Sequence, residues 1–441
     1  MDVITNSATH TIRGAGQILA GSGVFINNGT ILQEGATNLL INPENSAGFV
    51  NNGTIQATGT GEIQLSDGTY TNNTSINVAT GSNLLVNSQN VTILGGDLTT
   101  SGTGEIRTTA VSTGAILDNV RLTSGSNLVS NSSHDWRIRN SFVNDGTVSM
   151  NSTGASTDLA FIGSQTNSGN GEIVWSDSNQ NRILASDSTG STAVLTLGAN
   201  QVLRGAGQIG VNSGGIINNG TIRQQGNIAL ALDPGTPGFV NNNVLRAEGS
   251  GGITFNAGNF TNNTTIEALN GSELRLLSSA TRVVGGDLTT VGTGEIRTNQ
   301  SSVGATLDNV RLTSGSNIFS ASGNDWRFEN GFVNDGTISL NSTGGSTDLE
   351  FVGTQTLSGS GSIVMSDHFQ NKILNDTAAD MLTTNFTGLA FNQMFIGDSL
   401  WIEVTQADVP APGVSEPGAM LVFAAGLGTL FVARRRRRTL H

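Results

Sequence analysis

Apolar side chains recur along this chain in short runs that alternate with polar ones and close on Asn, Gly, Ser or Asp. Examples are "INNGTI" at 26, "FVNNGTI" at 49, "YTNNTSI" at 70, "LDNVRL" at 117 and "FVNDGTV" at 142. A period of two bounded by turn formers is the pattern of short, half-buried strands, and β-branched Thr, Ile and Val suit a pleated surface. The pattern predicts an all-β protein with many turns. Only one stretch breaks it, a run over 418–433 near the C-terminus that is apolar apart from Thr429.

The runs belong to a larger repeat. "RGAGQI" at 13 returns at 204, and "GGDLTT", "GTGEIRT", "LDNVRLTSGSN", "FVNDGT" and "STDL" at 95, 102, 117, 142 and 156 return at 285, 292, 307, 332 and 346. Roughly two-thirds of the positions over 95–185 are identical to their partners, which marks an internal duplication of ~190 residues. A finer beat lies inside it: "GAGQI", "GTGEI", "GTGEI" and "GNGEI" begin at 14, 59, 102 and 169. These gaps are about two, two and three multiples of a ~22-residue unit, the length of one solenoid coil. The expected fold is a right-handed parallel β-helix, or β-solenoid. The alternative is a β-propeller, whose blades of ~40–45 residues match the first two gaps but not the third.

Asn-Gly between alternating runs is also a hairpin signal. In a solenoid the same residues form corners, because both tolerate positive φ, and stacked Asn side chains hydrogen-bond in ladders from coil to coil. In "FVNNGTI" Val50 and Ile55 are expected inward, with Asn52, Gly53 and Thr54 at the bend and outer face, and Val143 and Val148 repeating the pattern. About eighteen coils at ~4.8 Å each predict a rod of ~85 Å.

The organisation read from the chain is a first copy at 1–190, a second at 191–376, a last coil or cap at 377–405, a Pro-containing linker at 406–413 and a terminal cassette at 414–441. Residues 4–18 align with 195–209, so Met1 falls inside a repeat, and no basic and apolar leader precedes it. Further repeats and an export signal upstream are therefore the expectation.

Charge narrows the possible partners. The net charge is −13, and without Arg434, Arg435, Arg436, Arg437 and Arg438 the remainder carries −18, a sign that disfavours nucleic acid. There is no Cys, hence no disulfide framework and no thiolate site. The apolar run 418–433 would be ~24 Å long as a helix, enough for a transmembrane segment with slight bilayer thinning. The arginines behind it place the C-terminus on the cytoplasmic side.

The order Ser415-Glu416-Pro417, apolar helix, Arg-rich tail resembles the PEP-CTERM sorting signal of Gram-negative bacteria. Ser415 departs from the family's first Pro. The resemblance implies an exosortase-type processing enzyme as partner and transient anchoring in the inner membrane. It further implies cleavage near the motif and release to the cell surface or extracellular matrix, with exopolysaccharide as a further partner. The expected function is that of a non-enzymatic structural or adhesion protein. The alternative is a carbohydrate-active β-helix enzyme, a polysaccharide lyase or hydrolase, displayed by the same route.

No catalytic set assembles in the sequence, and no cofactor or metal is implied. "GAGQIG" at 205 matches a dinucleotide fingerprint, but its counterpart at 14 is "GAGQIL" and no βαβ pattern surrounds it. His10, His134, His368 and His441 have no His counterparts in the other copy. "GGD" at 95 and 285 lacks the nine-residue repeat of a calcium-binding solenoid. The duplicated candidates are Asp118 with Arg121, copied as Asp308 with Arg311, which read best as solvated ion pairs. Asp135, Trp136 and Arg137, copied as Asp325, Trp326 and Arg327, are the candidates for carbohydrate contact, a Trp beside Asp and Arg being able to hold a sugar face.

Overall fold

The computed structural model describes residues 3–21, 23–43, 48–110, 114–186, 192–301 and 303–376, and the backbone of Leu382–Phe386, Leu389–Ile396 and Ser399–Gln406. The strands wind into a parallel β-solenoid of about 16 turns. Each turn carries three short strands, and each strand pairs in parallel with the one that follows a turn later. Val3–Asn6 pairs with Val24–Asn27, Thr11–Arg13 with Thr30–Gln33, and Gly16–Ala20 with Leu39–Asn42. Three faces therefore run the length of the stack, about 75 Å at ~4.8 Å per turn.

The propeller alternative is excluded. A blade is an antiparallel sheet of consecutive strands, whereas here consecutive strands lie on different faces and every pairing up to Leu382–Phe386 is parallel.

Alternation sets the interior. Most strands bury every second side chain, and the narrow core is a set of columns in which each turn stacks like on like. Phe25, Phe49 and Tyr70 form one, with ring centroids 5.6 and 5.8 Å apart. Ile31, Ile55, Ile76 and Leu98 form another on the neighbouring face. A single turn buries too little to stand alone, and stability accumulates along the stack.

One inward assignment is corrected. Ile55 and Val148 point inward, but Val50 and Val143 face outward, because Phe49 and Phe142 take the interior positions beside them. With a period of two, an inward Phe49 also turns Asn51 inward. Asn51 is buried, and with it Asn6, Asn27 and Asn72 form a ladder inside the corner. Asn6 Nδ2 donates to Asn27 Oδ1, Asn27 Nδ2 to Asn51 Oδ1 and Asn51 Nδ2 to Asn72 Oδ1, each at 2.8 Å. The second Asn of each pair builds an outer ladder, with Asn52 donating to Asn28 at 2.9 Å and Asn73 to Asn52 at 2.7 Å. The second copy repeats both, through Asn218, Asn241 and Asn262 inside and Asn219, Asn242 and Asn263 outside.

The Asn-Gly pairs are thus corners, not hairpins. At Gly53 the reason for glycine is close approach: a Cβ there would lie 2.0 Å from the carbonyl oxygen of Gly29 in the preceding turn. The "GGD" motif ends the inner ladder. A Cβ on Gly96 would meet Asn72 Nδ2 at 2.2 Å, and that amide donates onward to the Asp97 carbonyl at 3.3 Å.

The duplication has a geometric consequence. The first copy contributes twenty-two strands, three of which (Ala115–Leu122, Trp136–Asn144 and Glu172–Ala185) bend across a corner and serve two faces. That makes twenty-five segments, one more than eight full turns of three. Val3–Asn6 starts the first face, but its counterpart Val194–Leu197 pairs with Gln165–Ser168 on the second. The second copy is therefore rotated by a third of a turn, and equivalent residues of the two copies look in different directions.

The stack ends in a change of direction. Leu382–Phe386 adds in parallel to Gln355–Ser358, and Leu389–Ile396 and Ser399–Gln406 then follow antiparallel. Ser415, Glu416, Pro417, the helix expected over 418–433 and Arg434 to Arg438 lie outside the described residues. Among the described residues no helix is long and apolar enough to cross a membrane.

Candidate functional site

The duplicated Asp and Arg residues sit where they link one turn to the next. Asp118 and Arg121 do not pair with each other. Asp118 is buried and accepts from Arg139 Nε at 2.9 Å and Asn140 Nδ2 at 2.6 Å, while Arg121 Nε donates to Asp145 at 2.9 Å. The second copy keeps the plan but changes the partner: Asp308 accepts from Arg282 at 2.6 Å and Asn330 at 2.7 Å, and Arg311 donates to Asp335 at 2.8 Å. The expected solvated pairs are in fact two separate links per copy.

Asp135 and Asp325 are buried as well. Asp135 accepts the backbone N–H of Asp158 at 2.8 Å, and Asp325 that of Asp348 at 2.9 Å, so each carboxylate holds the next turn in register. Trp136 and Trp326 are 0% exposed. Neither indole offers a face on which a sugar could stack, because the alternation that turns Asp135 toward the corner sends the following side chain into the core column. Arg137 is half-buried on the outer surface.

Arg327 is different. It lies 3.2 Å from Glu329, 3.8 Å from Glu350 and 3.4 Å from Asp376, a cluster of three carboxylates around one guanidinium. Burial pushes the Glu350 carboxyl above its ordinary range against the pull of Arg327, and neighbouring Asp376 adds to the rise. A carboxyl raised above its ordinary range close to a second carboxyl group is an arrangement that general acid chemistry on glycosides uses. In the first copy the positions of Glu350 and Asp376 hold Ala160 and Ser186, so the cluster belongs to the second copy alone. A search for residues recurring in both copies passes over it. The strand register is what finds it, since Arg327 and Glu350 are partners on adjacent turns.

Elsewhere among the described residues most ion pairs cross from one turn to the next. Arg182 is paired through both oxygens with Asp158 at 2.7 and 2.6 Å, a hydrogen-bonded contact that holds its guanidinium above the ordinary value. Arg204 pairs with both oxygens of Glu172 in the same way, and Arg246 Nε donates to one oxygen of Glu267 at 2.6 Å. The Arg246 and Glu267 pair lines a small surface dip with Asn243, Val244 and Thr264. His10 contacts Asn6 Oδ1 at 2.6 Å and His368 contacts Ser342 Oγ at 3.1 Å. Among the described residues no group of three or more His, Asp or Glu is placed to hold a metal ion.

The two glycines shared with the dinucleotide fingerprint have a packing role. A Cβ on Gly205 would lie 2.3 Å from the Trp175 carbonyl oxygen, and one on Gly207 would lie 2.6 Å from the Trp175 ring. They make room for the indole of the preceding turn. Comparison with family models, curated proteins and solved structures returns no match for this chain.

Proposed function

We propose that this chain is the rod of an exported structural or adhesion protein of the bacterial surface or extracellular matrix, wound right-handed and carried there by its C-terminal cassette. The observation that supports the reading most directly is the use made of the duplicated polar residues. Asp118, Asp135, Asp308 and Asp325 are all committed to bonds between turns, which is what a stack that must resist tension requires of them. In this reading residues 414–441 act as an address: an exosortase-type enzyme cleaves near Ser415, Glu416 and Pro417 after transient anchoring in the inner membrane by 418–433. Exopolysaccharide is the matrix partner, and the acidic body disfavours nucleic acid.

Mass spectrometry of the protein recovered from the surface or medium of an exosortase-bearing Gram-negative host tests this. Loss of residues 418–441 is expected. Recovery of mature material that retains them overturns the sorting reading.

A second reading rests on the acid cluster in the second copy. With Glu350 as general acid and Asp376 as the second carboxyl group, the chain would be a carbohydrate-active enzyme on the same rod. Sugar release from acidic exopolysaccharides distinguishes the two. Turnover that vanishes in Glu350→Gln favours the enzyme; no release by the unaltered chain leaves the structural reading standing.

A further inference from the structure

Three arginines stand one above another on a face of the second copy. Arg204 lies opposite Arg223 and Arg223 opposite Arg246 on consecutive turns, and Glu267 follows Arg246. Like charges directly opposite on neighbouring strands repel, so the column needs anions to settle it. Two of the three have them within the chain: Arg204 is bonded to both oxygens of Glu172, and Arg246 Nε donates to Glu267 at 2.6 Å. Arg223, in the middle, does not. Its Nε is buried without a hydrogen-bond partner and lies 3.6 Å from Glu248 Oε1, an oxygen that sits 3.9 Å from Arg246 Nη1 as well. The other Glu248 oxygen already accepts from Gln225 at 2.8 Å. The Arg223 side chain is 43% exposed, so the outer fork of its guanidinium is open to a ligand.

The surface dip adjoins this column. Along the strands it runs from Asn243 and Thr264 at the corner, over Val244 and Thr265, to Arg246 and Glu267. Its volume is about 190 Å³. That is room for about six waters at ~30 Å³ each, or one sugar ring, and short of the ~300 Å³ at which pockets for whole small molecules begin. The polar atoms around it have capacity to spare: among the described residues Asn243 Oδ1, Thr265 Oγ1 and Glu267 Oε1 make no hydrogen bond. Arg223 stands on the preceding turn, a diagonal of about 7–8 Å from Val244 and within reach of an arginine side chain. The first copy has none of these groups. The positions of Arg223, Asn243, Arg246, Glu248 and Glu267 hold Leu32, Gly53, Gln56, Thr58 and Asn77 there, on the same kind of strand. The fold winds without them, so they are free to serve a ligand.

We propose that this strip binds a carboxylated sugar within an acidic polysaccharide chain. The C–H face of the ring rests on Val244, its hydroxyls bond to Asn243 Oδ1, Thr265 Oγ1 and Glu267 Oε1, and its carboxylate takes the free N–H groups of Arg223 beside Arg246. A neutral sugar would fill the dip and leave Arg223 as it is, whereas a carboxylate gives the column the anion it lacks. The dip is a shallow feature of the outer surface, so it admits one link of a long polymer and does not enclose a free monosaccharide. That the polymer is the matrix exopolysaccharide rests on the function proposed above.

Saturation-transfer NMR on the purified full chain tests this, with short galacturonate and mannuronate oligomers as probes and their methyl esters as controls. At least one acid should bind, and its ester should bind about tenfold more weakly or less, because the ester keeps the ring and removes the charge. Added salt should weaken the acid more than the ester. Arg223→Leu should weaken the acid by about tenfold or more and leave the ester unchanged. Glu248→Thr should tighten the acid, since the carboxylate that competes for Arg223 is gone. A guanidinium that only links turns predicts no change in either variant. Leu32 and Thr58 occupy the matching positions of the first copy, so both variants should melt with the unaltered chain. Equal binding of the acid by the unaltered and Arg223→Leu chains overturns the site and leaves polysaccharide as the partner. Equal binding of acid and ester overturns the carboxylate assignment. Failure of both acids to bind overturns the site, while the sorting reading is decided separately by the mature C-terminus.

Discussion

Replacing Asn51 by alanine removes the middle of the inner ladder, and the contacts around it define what is left behind. Asn51 Oδ1 accepts from Asn27, and its Nδ2 donates to Asn72 Oδ1 at 2.8 Å, with Thr74 Oγ1 at 3.0 Å and the Ser75 carbonyl at 3.3 Å nearby. After truncation Asn27 Nδ2 still reaches the Thr54 carbonyl at 3.2 Å, but Asn72 Oδ1 loses the ladder donor aimed at it in a site closed to water. A buried acceptor stripped of its donor costs about 1–3 kcal/mol, and the lost bonds add about 1 kcal/mol. The expected destabilisation is roughly 3 kcal/mol. Asn52→Ala removes two bonds of nearly the same length from the outer ladder. Water replaces both there, so its cost should stay within about 0.5 kcal/mol.

A solenoid is close to a one-dimensional array, so the damage from Asn51→Ala should concentrate in the turns that touch it. Global unfolding of such an array need not be two-state, and hydrogen exchange read by mass spectrometry is the better assay. Peptides covering 24–33, 49–57 and 70–78 should lose protection in Asn51→Ala and keep it in Asn52→Ala. Asn241→Ala, with Asn218 and Asn262 on either side at 2.9 and 3.0 Å, should reproduce the effect in the second copy. Equal costs for Asn51→Ala and Asn52→Ala, or protection lost evenly along the rod, would refute the claim that the inner ladder is the one that holds.

Gly207→Ala should cost about 1–3 kcal/mol more than Gly16→Ala by thermal denaturation, because both strain a left-handed backbone but only Gly207 faces the Trp175 ring. Tyr70 is the single tyrosine and burial pushes its phenol up, so absorbance at 295 nm should show no phenolate through the ordinary range near ~10 until the fold opens. The neutral phenol's contribution is fully present below ~10 and is lost as pH rises beyond it; phenolate appearing at ~10 with the far-UV spectrum intact would refute this burial. Asp335 is held below the usual carboxylate range by the Ser360 amide and then Arg311, and Asp145 by the Asn170 amide and Arg121 against the opposing effect of burial. Their contribution is present above ~4 and fades as pH falls through the lowered values, so exchange at Ser360 and Asn170 should quicken only below that range.

What the sequence disclosed and what it hid divide along one line. Regularities that repeat each turn were legible: the alternation, the ~22-residue beat and the Asn pairs all follow from a period that any window shows. The inward choice between Phe49 and Val50 was not, because both are apolar and a strand pattern slips by one residue at no local cost. Only the aromatic column through Phe25 and Tyr70, set by partners a full turn away, decides it. The Trp136 and Trp326 candidates failed for the same reason, since an indole beside Asp and Arg reads as a surface in sequence and as core once the strand is placed.

The third-turn offset bears on how such a rod could act. A duplicated motif invites the picture of two equivalent sites side by side on one surface, as a flat binding face would need. Here a copy spans eight turns and one strand more, so Asn52 and Asn242, or Arg121 and Arg311, lie on different faces. A partner that recognises the repeat would meet it around the rod and not along one side. That geometry suits contact with a surrounding network better than adhesion to a flat surface. Shifting the phase takes only one strand's length: with twenty-four segments in place of twenty-five, the two copies would face the same way.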